Sequence, residues 1–296
     1  MPKSHLNRIA VVVASVGRPD EVGDLVESLE RQTLAPVTIV LSVSEEADLP
    51  EASRRGNARV VMGELGLPKQ RNTGMRAVLD DCDLIAFFDD DYLMARTSLE
   101  RLADFFTENE DVVGVNGALL ADGISRGGVP RSDAIDLISR YESNAEPDPT
   151  ILDDLEGLYG CNMVYRSSAI GDLEFDENLP LYGWQEDVDF ANRLLPAGRL
   201  VLTNVFAGVH RGVTRGRTSG VRLGYSQIAN PIYLAQKGSM SLWFATRLIL
   251  RCFIANHVHG VAPEPWVDRR GRVKGNWLAI RDIMKEQLSP MRVLEI

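Results

Sequence analysis

Three consecutive aspartates, Asp89, Asp90 and Asp91, follow the apolar segment LIAFF at residues 84–88. Their like charges repel one another, and no cationic residue adjoins them in the sequence. A divalent cation relieves such repulsion, since Mg²⁺ and Mn²⁺ prefer oxygen ligands and bind one or two carboxylates together with substrate phosphates. The triplet therefore predicts a site for Mn²⁺ or Mg²⁺, with a solvated acidic turn as the alternative.

A second acidic cluster, Glu186, Asp187 and Asp189, lies at the start of a predicted helix in the segment YGWQEDVDF. Acids are common there for structural reasons alone, because they favour the positive end of the helix dipole. The adjacent Trp184 favours a second interpretation, since an aromatic ring beside a carboxylate is typical of sugar binding. Asp187 could then act as a general base on a sugar hydroxyl, and Glu186 could hold acceptor hydroxyls.

The hydrophobic pattern predicts the elements that position these acids. Strands are predicted at 8–15, 37–43, 58–63, 84–89 and 112–120, and helices at 20–32, 68–81 and 98–109. This alternation predicts an α/β fold with a mostly parallel sheet flanked by helices. Ligands of such sheets bind at the carboxyl ends of the strands, where the three aspartates lie.

The second half of the chain is less regular. Residues 121–156 are polar and rich in Gly, Pro and Asp, which predicts a long loop or an insertion. Further elements are predicted as a strand at 157–167, a helix at 185–198, a strand at 199–209 and helices from about 220. In these last helices one apolar stripe is expected to face the core, with an amphipathic helix on a membrane surface as the alternative. It consists of Leu242, Thr246, Ile249, Leu250 and Phe253.

Composition excludes several classes of protein. Hydrophobic residues make up 45% and charged residues 25% of the chain, as in ordinary globular proteins. Cys82, Cys161 and Cys252 are far apart and form no CxxC pair, so neither a disulfide framework nor a zinc site is expected, and a cytoplasmic location is predicted. The apolar segment at 9–14 is too short for a signal peptide or a membrane span.

Charge is unevenly distributed along the chain. The formal net charge is −10, yet residues 190–263 contain nine arginines and lysines and no acid, so the remaining residues carry 42 acidic against 23 basic side chains. Chance and solvated faces are one explanation, and a surface facing a diphosphate or lipid head groups is the other. Nucleic acid is not expected as a partner, because the chain is acidic and has no nucleic-acid-binding motif.

Five sequence features in a fixed order resemble the family 2 glycosyltransferases, inverting enzymes with the GT-A fold. They are VVVASVGRPDEVGDLVESLERQT, GLPKQRNTGMRAV, AFFDDDYLM, GCNMVYRSSAIGDLEFDENLPLYGWQEDVDFANRL and His210, and they cover about residues 8–215. The resemblance implies a GT-A catalytic domain at 1–219, with its nucleotide-sugar half at about 1–120 and its acceptor half at about 121–219. A helical C-terminal extension is expected at 220–296.

The resemblance also implies roles for particular residues. Asp89 and Asp91 match the DxD motif, with Asp91 as the principal metal ligand and Asp90 near the donor sugar or ribose. His210 matches a metal-binding histidine, and Asp187 matches the catalytic base, with Trp184 and Glu186 on the acceptor side. The expected nucleotide-sugar contacts are Ala14, Ser15, Val16, Arg18, Ser42, Ser44, Lys69, Arg71, Asn72, Asp89 and Asp90.

One position departs from the family. The second strand usually ends in an aspartate that contacts the nucleotide base, and here Ser42 and Ser44 take its place. A hydroxyl can still bind a base, so a UDP- or dTDP-sugar is the favoured donor, with GDP as an alternative. The Gly-rich segment that carries Arg211, Arg215 and Arg217 is expected to be a flexible basic loop that closes over the diphosphate.

Together these features predict an inverting transfer of a hexosyl or deoxyhexosyl group to a glycan or lipid-linked acceptor in polysaccharide synthesis. Peripheral contact with the inner membrane surface is expected from the acid-free segment at 190–263. A sugar-nucleotide pyrophosphorylase is one alternative, but SVGRPDE at 15–21 lacks the lysine that its nucleotide loop would need. A non-catalytic sugar-nucleotide-binding protein is another, and the two intact acidic clusters argue against it.

Overall fold

The computed structural model describes residues 6–144, 147–216 and 218–296. In chain order, the strands and α-helices of these residues are β1 (Ile9–Ser15), α1 (Pro19–Glu30), β2 (Thr38–Val43), β3 (Arg59–Met62), α2 (Leu67–Arg76), β4 (Leu84–Phe88), β5 (Tyr92–Met94), α3 (Ser98–Glu108), β6 (Val112–Asp122), α4 (Arg131–Glu142), β7 (Ile151–Leu155), β8 (Asn162–Arg166), α5 (Ser167–Ile170), α6 (Glu186–Leu194), β9 (Arg199–His210), α7 (Gly220–Lys237), α8 (Leu242–Gly260) and α9 (Arg269–Met284). The predicted α/β fold is confirmed.

The strands form one sheet in the order β3-β2-β1-β4-β8-β6-β9-β5, and β7 pairs with β9 outside this path. β1 to β4 run parallel to one another, β8 is antiparallel between β4 and β6, and β6 and β9 are parallel. Residues 9–13 of β1 are all buried, which is expected for a parallel strand whose two faces are both covered. The sheet is therefore mixed, and its first half is parallel as predicted.

The chain divides into two compact units. The sheet unit comprises Met1–Leu65, Lys69–Glu174 and Leu194–Gly216, and the helical unit comprises Gly66–Pro68, Phe175–Arg193 and Arg217–Ile296. All nine strands named above belong to the sheet unit, whereas α7, α8 and α9 belong to the helical unit.

The core of the sheet unit follows the predicted apolar pattern. α1 buries Val22, Leu25, Val26 and Leu29, which recur at helical spacing, against the sheet. α2 approaches β1 closely at Gly74, where an added Cβ would lie 2.4 Å from a methyl carbon of Val12. Glycine at this position therefore lets the helix that carries Lys69, Arg71 and Asn72 lie against the sheet.

The predicted long loop at 121–156 is wrong over much of its length. β6 extends to Asp122, and α4 and β7 lie within the predicted loop. The hydrophobic pattern does not indicate α4, because Ala134 is the one residue of this helix that is fully buried. Ala134 packs in a small cluster that includes Leu93 and Val209. The pattern does not indicate β7 either, because β7 is an edge strand that pairs with β9 and exposes Asp153 and Asp154.

The C-terminal helices are confirmed, but the predicted core-facing stripe of α8 is only partly correct. Ile249 and Phe253 pack against the core of the helical unit, which is formed by Tyr225, Ile228, Ala229, Ala279 and Val293. Leu242 and Leu250 are 76% and 54% exposed. Among the helices that the structure describes, none combines the length and hydropathy that crossing a bilayer requires.

Candidate metal and donor site

The three aspartates occupy the turn between β4 and β5 in the sheet unit. The backbone N–H of Asp89 donates to the carbonyl of Cys161 at 3.1 Å, and the N–H of Tyr92 donates to the carbonyl of Asp89 at 3.0 Å. These two bonds fix the turn at the carboxyl end of β4. The predicted position of the acids, at the end of a buried parallel strand, is confirmed.

The pairing of β5 with β9 brings His210 to this turn. β5 runs antiparallel to β9, and Tyr92 lies opposite His210 in the register. His210 Nε2 lies 3.3 Å from Asp91 Oδ1 and 3.8 Å from Asp89 Oδ2. One ligand atom from each of these three residues lies within 4.8 Å of the others.

The three side chains fit a divalent cation. Asp91 and His210 are 2% and 4% exposed. Asp91 Oδ1 is buried, and among the described residues no donor meets it with hydrogen-bond geometry, although His210 Nε2 is close by. A cation would satisfy this oxygen, and two carboxylates with one imidazole are a donor set suited to Mn²⁺.

His210 is held by a carboxylate and a phenol on its other side. Its Nδ1 lies 3.0 Å from Asp122 Oδ1 and 3.3 Å from the hydroxyl of Tyr159. The Tyr159 hydroxyl also donates to Asp122 Oδ2 at 3.3 Å. We assign the Nδ1 proton to the bond with Asp122, which leaves Nε2 directed at Asp89 and Asp91, the arrangement by which carboxylates orient metal-binding histidines.

Burial and the neighbouring charges shift the pKa values of this cluster in different directions. Burial lowers the pKa of His210, but Asp122 and Asp91 outweigh it and raise the pKa well above its usual value. Burial raises the pKa of Asp91, but His210 outweighs it and holds the pKa below its usual range. Burial raises the pKa of Asp90 to about 7 despite Arg18. These carboxylates therefore favour the protonated form of His210, and a metal ion that binds Nε2 must displace a proton from it.

Arg18 ties the middle aspartate to the segment that follows β9. Its guanidinium donates to Asp90 Oδ1 at 2.9 Å, to the carbonyl of Val213 at 3.0 Å and to the carbonyl of Arg215 at 2.6 Å. The N–H of Val213 donates to Asp91 Oδ2 at 2.6 Å. This segment is therefore fastened beside the carboxylates.

The side chains of the expected basic loop bind acids of the protein itself. Arg211 Nη1 lies 3.3 Å from Asp24, and Arg215 Nη2 lies 2.9 Å from Glu21. Arg217 lies outside the described residues. In this conformation carboxylates of α1 neutralise Arg211 and Arg215, and closure of a flexible basic loop over a diphosphate stays a prediction.

The residues expected to contact the nucleotide from β1 and β2 have different environments. Ser15, next to Ala14 at the end of β1, donates to Asp90 Oδ2 at 2.7 Å, and the following Val16 is 38% exposed. Ser42 is fully buried in β2. Ser44 donates to Asp48 at 3.3 Å.

Two residues that the sequence did not point to hold these strand ends together. Asp48 accepts from the backbone N–H of Gly17 at 2.6 Å, and so ties the turn after β1 to the loop after β2. Gln70 Nε2 donates to the carbonyls of Ser15 and Ser42, both at 2.9 Å. Neither could be found from sequence, because both act through backbone groups that are distant in the chain.

Arg71 of α2 lies at the aspartate turn. Arg71 is 3% exposed and donates to Asp89 Oδ1 at 3.1 Å and to the carbonyl of Gly160 at 2.9 Å. Lys69 forms an ion pair with Glu64, and Asn72 is fully buried. Arg71 therefore neutralises part of the charge of the acidic turn.

The second acidic cluster lies in the helical unit, where Glu186 and Asp187 begin α6. The backbone before it is unusual, because Leu181, Gly183 and Gln185 all have φ between +58° and +75°. Positive φ at residues other than glycine is strained and is often found at functional sites. Glu186 is 2% exposed, whereas Trp184 and Asp187 are half-buried. The carbonyl of Trp184 accepts from Asn230 of α7 at 2.8 Å.

Asp189, the third acid of this cluster, has a structural role. It is fully buried, and Lys237 lies 2.9 Å and Arg193 3.0 Å from its Oδ2. Ser239 also donates to it. Lys237 binds Asp176 at 2.6 Å as well, so this network joins α6 to the end of α7.

Comparison with known proteins identifies the family. The family described as "Glycosyl transferase family 2" matches residues 10–173, more than half of the chain. The chain belongs to glycosyl transferase family 2. A search of curated proteins gives no match.

Solved structures similar to this chain include TarS of S. aureus. The structure titled as TarS 1-349 in complex with UDP-GlcNAc has a TM-score of 0.53 and 16% identity, and the match covers 97% of this chain and 90% of that one. The complex of the same fragment with UDP has a TM-score of 0.50 at 16% identity and the same coverage. The longer TarS chain has a TM-score of 0.51 at 14% identity, and the match covers 96% of this chain but only 55% of that one. These likenesses establish the shared GT-A-type fold.

The structure brings part of the predicted set together in the sheet unit. Asp89, Asp91 and His210 come together as candidate metal ligands, with Arg71 on Asp89. Ser15, Arg18 and Asp90 form a linked group next to them. Asp122 and Tyr159 were missed, because only the register of β6 on β9, in which Asp122 lies opposite His210, brings Asp122 to the histidine.

Proposed function

We propose that this protein is an inverting glycosyltransferase that transfers a sugar from a nucleoside-diphosphate donor to a hydroxyl acceptor. The observation that carries the proposal is the convergence of Asp89, Asp91 and His210 at the carboxyl end of β4. A cluster of oxygen and imidazole ligands at this edge of an α/β sheet is suited to a cation bound to a diphosphate. Family membership makes a sugar transfer the reaction that such a site would serve.

Asp89, Asp91 and His210 would hold the cation, Mn²⁺ or Mg²⁺. When bound, the cation supplies electrostatic stabilisation to the diphosphate as negative charge develops on it. Asp122 and Tyr159 keep the imidazole of His210 in the orientation that presents Nε2. Arg71 would stay on Asp89 and limit the repulsion among the three acids.

The nucleotide would lie along the ends of β1 and β2. Ala14 and Ser15 end β1, and Val16 and Arg18 follow it. Ser42 lies near the end of β2 and Ser44 directly after it, and α2 supplies Lys69 and Asn72. Val16 has 38% of its surface free for a ligand. Asp90, bound by Ser15 and Arg18, would contact the ribose or the donor sugar.

Asp187 is the proposed general base. It would remove the proton of the acceptor hydroxyl as that oxygen attacks C1 of the donor sugar from the face opposite the diphosphate. One displacement then inverts the anomeric centre, and the proton stays on the carboxyl of Asp187. Trp184 and Glu186 would hold the acceptor sugar. Support comes from the resemblance of this segment to the family's acceptor block and from the strained backbone at Gln185.

A UDP- or dTDP-sugar with a hexosyl or deoxyhexosyl group is the proposed donor. UDP is supported by the TarS fragments of the same fold, whose structures contain UDP-GlcNAc and UDP. The acceptor would be a glycan or a lipid-linked sugar in polysaccharide synthesis. The reaction would take place in the cytoplasm, at or near the inner face of the membrane.

A panel of nucleotide sugars incubated with Mn²⁺ tests the proposal. We expect release of nucleoside diphosphate with one donor, and no release in EDTA or with Asp91→Asn. Release of pyrophosphate from a sugar phosphate and a nucleoside triphosphate would instead identify a pyrophosphorylase. Release of neither product, with every donor and a pool of cell-wall and lipid-linked acceptors, would contradict a catalytic role.

A further inference from the structure

One face of α8 in the helical unit is apolar and faces solvent. Its large side chains recur at helical spacing and so lie on one side of the helix. They are Trp243, Leu250, Ile254 and Val258, which are 75%, 54%, 57% and 63% exposed. The opposite side of α8 packs on α7 and α9 and buries Ala245 and Asn256. An exposed apolar face of this kind indicates a binding surface for an apolar partner or a membrane.

The same face carries two arginines and no acid. Arg247 and Arg251 are exposed, and among the described residues no carboxylate forms an ion pair with either. α8 contains no Asp or Glu at all. The long apolar stems of arginines can lie along an apolar surface while their charged ends reach polar groups. The face is therefore both apolar and cationic.

Arg247 and Arg251 differ from the other described cations of the acid-free segment, residues 190–263, because those cations have partners within the protein. Arg193, Arg199, Arg211, Arg215 and Lys237 all form ion pairs with carboxylates of the protein. Arg222 donates to the carbonyl of Ile296. In the described part of the segment, Arg247 and Arg251 are thus the cations left for an external anion.

A tryptophan of α9 extends the face, and a second exposed tryptophan lies in the connection before α9. Trp277 is 55% exposed, and its ring lies 5.8 Å from that of Phe253 of α8. Its indole N–H donates to His257 Nε2 at 3.0 Å. Trp266 is 39% exposed. Three of the four tryptophans of the chain are thus exposed in this unit, and tryptophan is the residue enriched at membrane–water interfaces.

The charges decide between two occupants of this face. A second copy of the chain, docked symmetrically, would place the same residues opposite one another. Arg247 and Arg251 would then face each other with no acid of α8 to neutralise them. An anionic lipid surface complements both properties, since its head groups bind the arginines and its acyl boundary accepts the apolar side chains.

We propose that the face formed by Trp243, Arg247, Leu250, Arg251, Ile254, Val258 and Trp277 binds reversibly to the surface of an anionic bilayer, with α8 in the plane of that surface. The binding is weak and sensitive to salt, because two arginines supply the attraction to the head groups. That a lipid-linked acceptor lies at this surface rests on the proposed function, whereas the binding itself does not.

Flotation of the purified full chain with vesicles tests the inference. We expect the protein to float with phosphatidylglycerol-containing vesicles at low salt, to be released at high salt, and to ignore pure phosphatidylcholine vesicles. Arg247→Glu with Arg251→Glu should abolish flotation, and Leu250→Ser with Ile254→Ser should reduce it severalfold. All four positions are exposed at the surface, so the melting temperature should not change.

Arg59→Glu with Arg140→Glu is the matched control, since it makes the same charge change at two exposed arginines of the sheet unit. The inference is wrong if the wild type fails to float with anionic vesicles at low salt, or if the control pair loses binding as fully as the α8 pair. A concentration-dependent dimer that Leu250→Ser with Ile254→Ser abolishes would show instead that a second copy covers the face. Nucleoside diphosphate release, assayed in the same samples, reports separately on the proposed function.

Discussion

Asp122 fixes the imidazole of His210, and this role can be tested without turnover. Asp122→Ala removes the carboxylate that lies 3.0 Å from Nδ1, leaves the Tyr159 hydroxyl at 3.3 Å and loosens the orientation of the ring. Loss of such an orienting partner typically lowers metal affinity about 10–100-fold. We expect that loss for Mn²⁺ in calorimetry without donor, and little change for Asp136→Asn, an exposed carboxylate of α4. Unchanged Mn²⁺ affinity in Asp122→Ala would remove Asp122 from the site.

Asp187 is the residue on which proton removal from the acceptor depends. Asp187→Asn keeps the size of the side chain but cannot accept the proton. We expect kcat to fall about 10²–10⁴-fold, the usual contribution of a general base, with donor affinity unchanged. Single-turnover kinetics and donor titration measure the two quantities separately. A loss of donor affinity with kcat intact would place Asp187 on the donor side.

Candidate site residues could be predicted from the sequence where adjacent residues in the chain carry the chemistry. Asp89 and Asp91 could be predicted because like charges at a strand end need a cation, and His210 because a family resemblance placed it. Asp122 could not, because its meeting with His210 depends on the irregular register between β6 and β9, which no local pattern records. Ser44 was predicted to contact the nucleotide base, but in the structure its hydroxyl binds Asp48 of the protein itself.

At the scale of elements, the network of Lys237 with Asp176 and Asp189 joins α6 to α7. Asp189 is fully buried, so Lys237→Met withdraws a positive charge from a carboxylate that water cannot reach. Because Arg193 and Ser239 still bind Asp189, we expect a loss of about 1–3 kcal/mol in the free energy of unfolding, measured by urea titration. Lys285→Met, at an exposed position, is the control and should change it little. Equal losses in the two variants would contradict the structural role of Lys237.

The effect of Lys237→Met should depend on pH. Burial raises the pKa of Asp176, but hydrogen bonds from Lys237 and Tyr233 outweigh it and hold the pKa below its usual value. A lowered folded-state pKa stabilises the protein above the unfolded pKa of aspartate, about 3.9, and this stabilisation is lost as pH falls through the folded value. The difference between wild type and Lys237→Met should therefore be constant near neutrality and shrink below about pH 4. A difference that grows in acid would assign the effect to another group.

Elements were predictable where burial leaves a strong hydrophobic pattern. β1, β4 and α1 could be predicted because their buried faces show in the order of their residues. α4 and β7 could not, since one buries a single alanine completely and the other is a polar edge strand. The orientation of α8 was missed for a related reason, because an exposed apolar stripe has the same spacing as a buried one.

At the scale of the whole molecule, most described cations of the acid-free segment at 190–263 are already bound to carboxylates of the protein and so are not available to an anionic ligand. The sequence correctly indicates an acid-free segment, but most of its described arginines and lysines neutralise carboxylates that are distant in the chain. Which cations are free to bind a ligand therefore depends on contacts between residues distant in the chain, and a count of charges along the sequence does not show it. A diphosphate bound near Asp89 and Asp91 would therefore need a metal cation to offset their charge.

Titration of UDP into the protein by calorimetry, with Mn²⁺ and with EDTA, tests this requirement most directly. We predict that UDP binds with Mn²⁺, that EDTA abolishes the binding, and that Asp91→Ala fails to bind under either condition, while Asp136→Asn behaves as wild type. Asp91 Oδ1 is the buried oxygen that the cation would satisfy. Equal UDP affinity in Mn²⁺ and in EDTA, or full affinity in Asp91→Ala, would contradict a metal-assisted donor site at the end of β4.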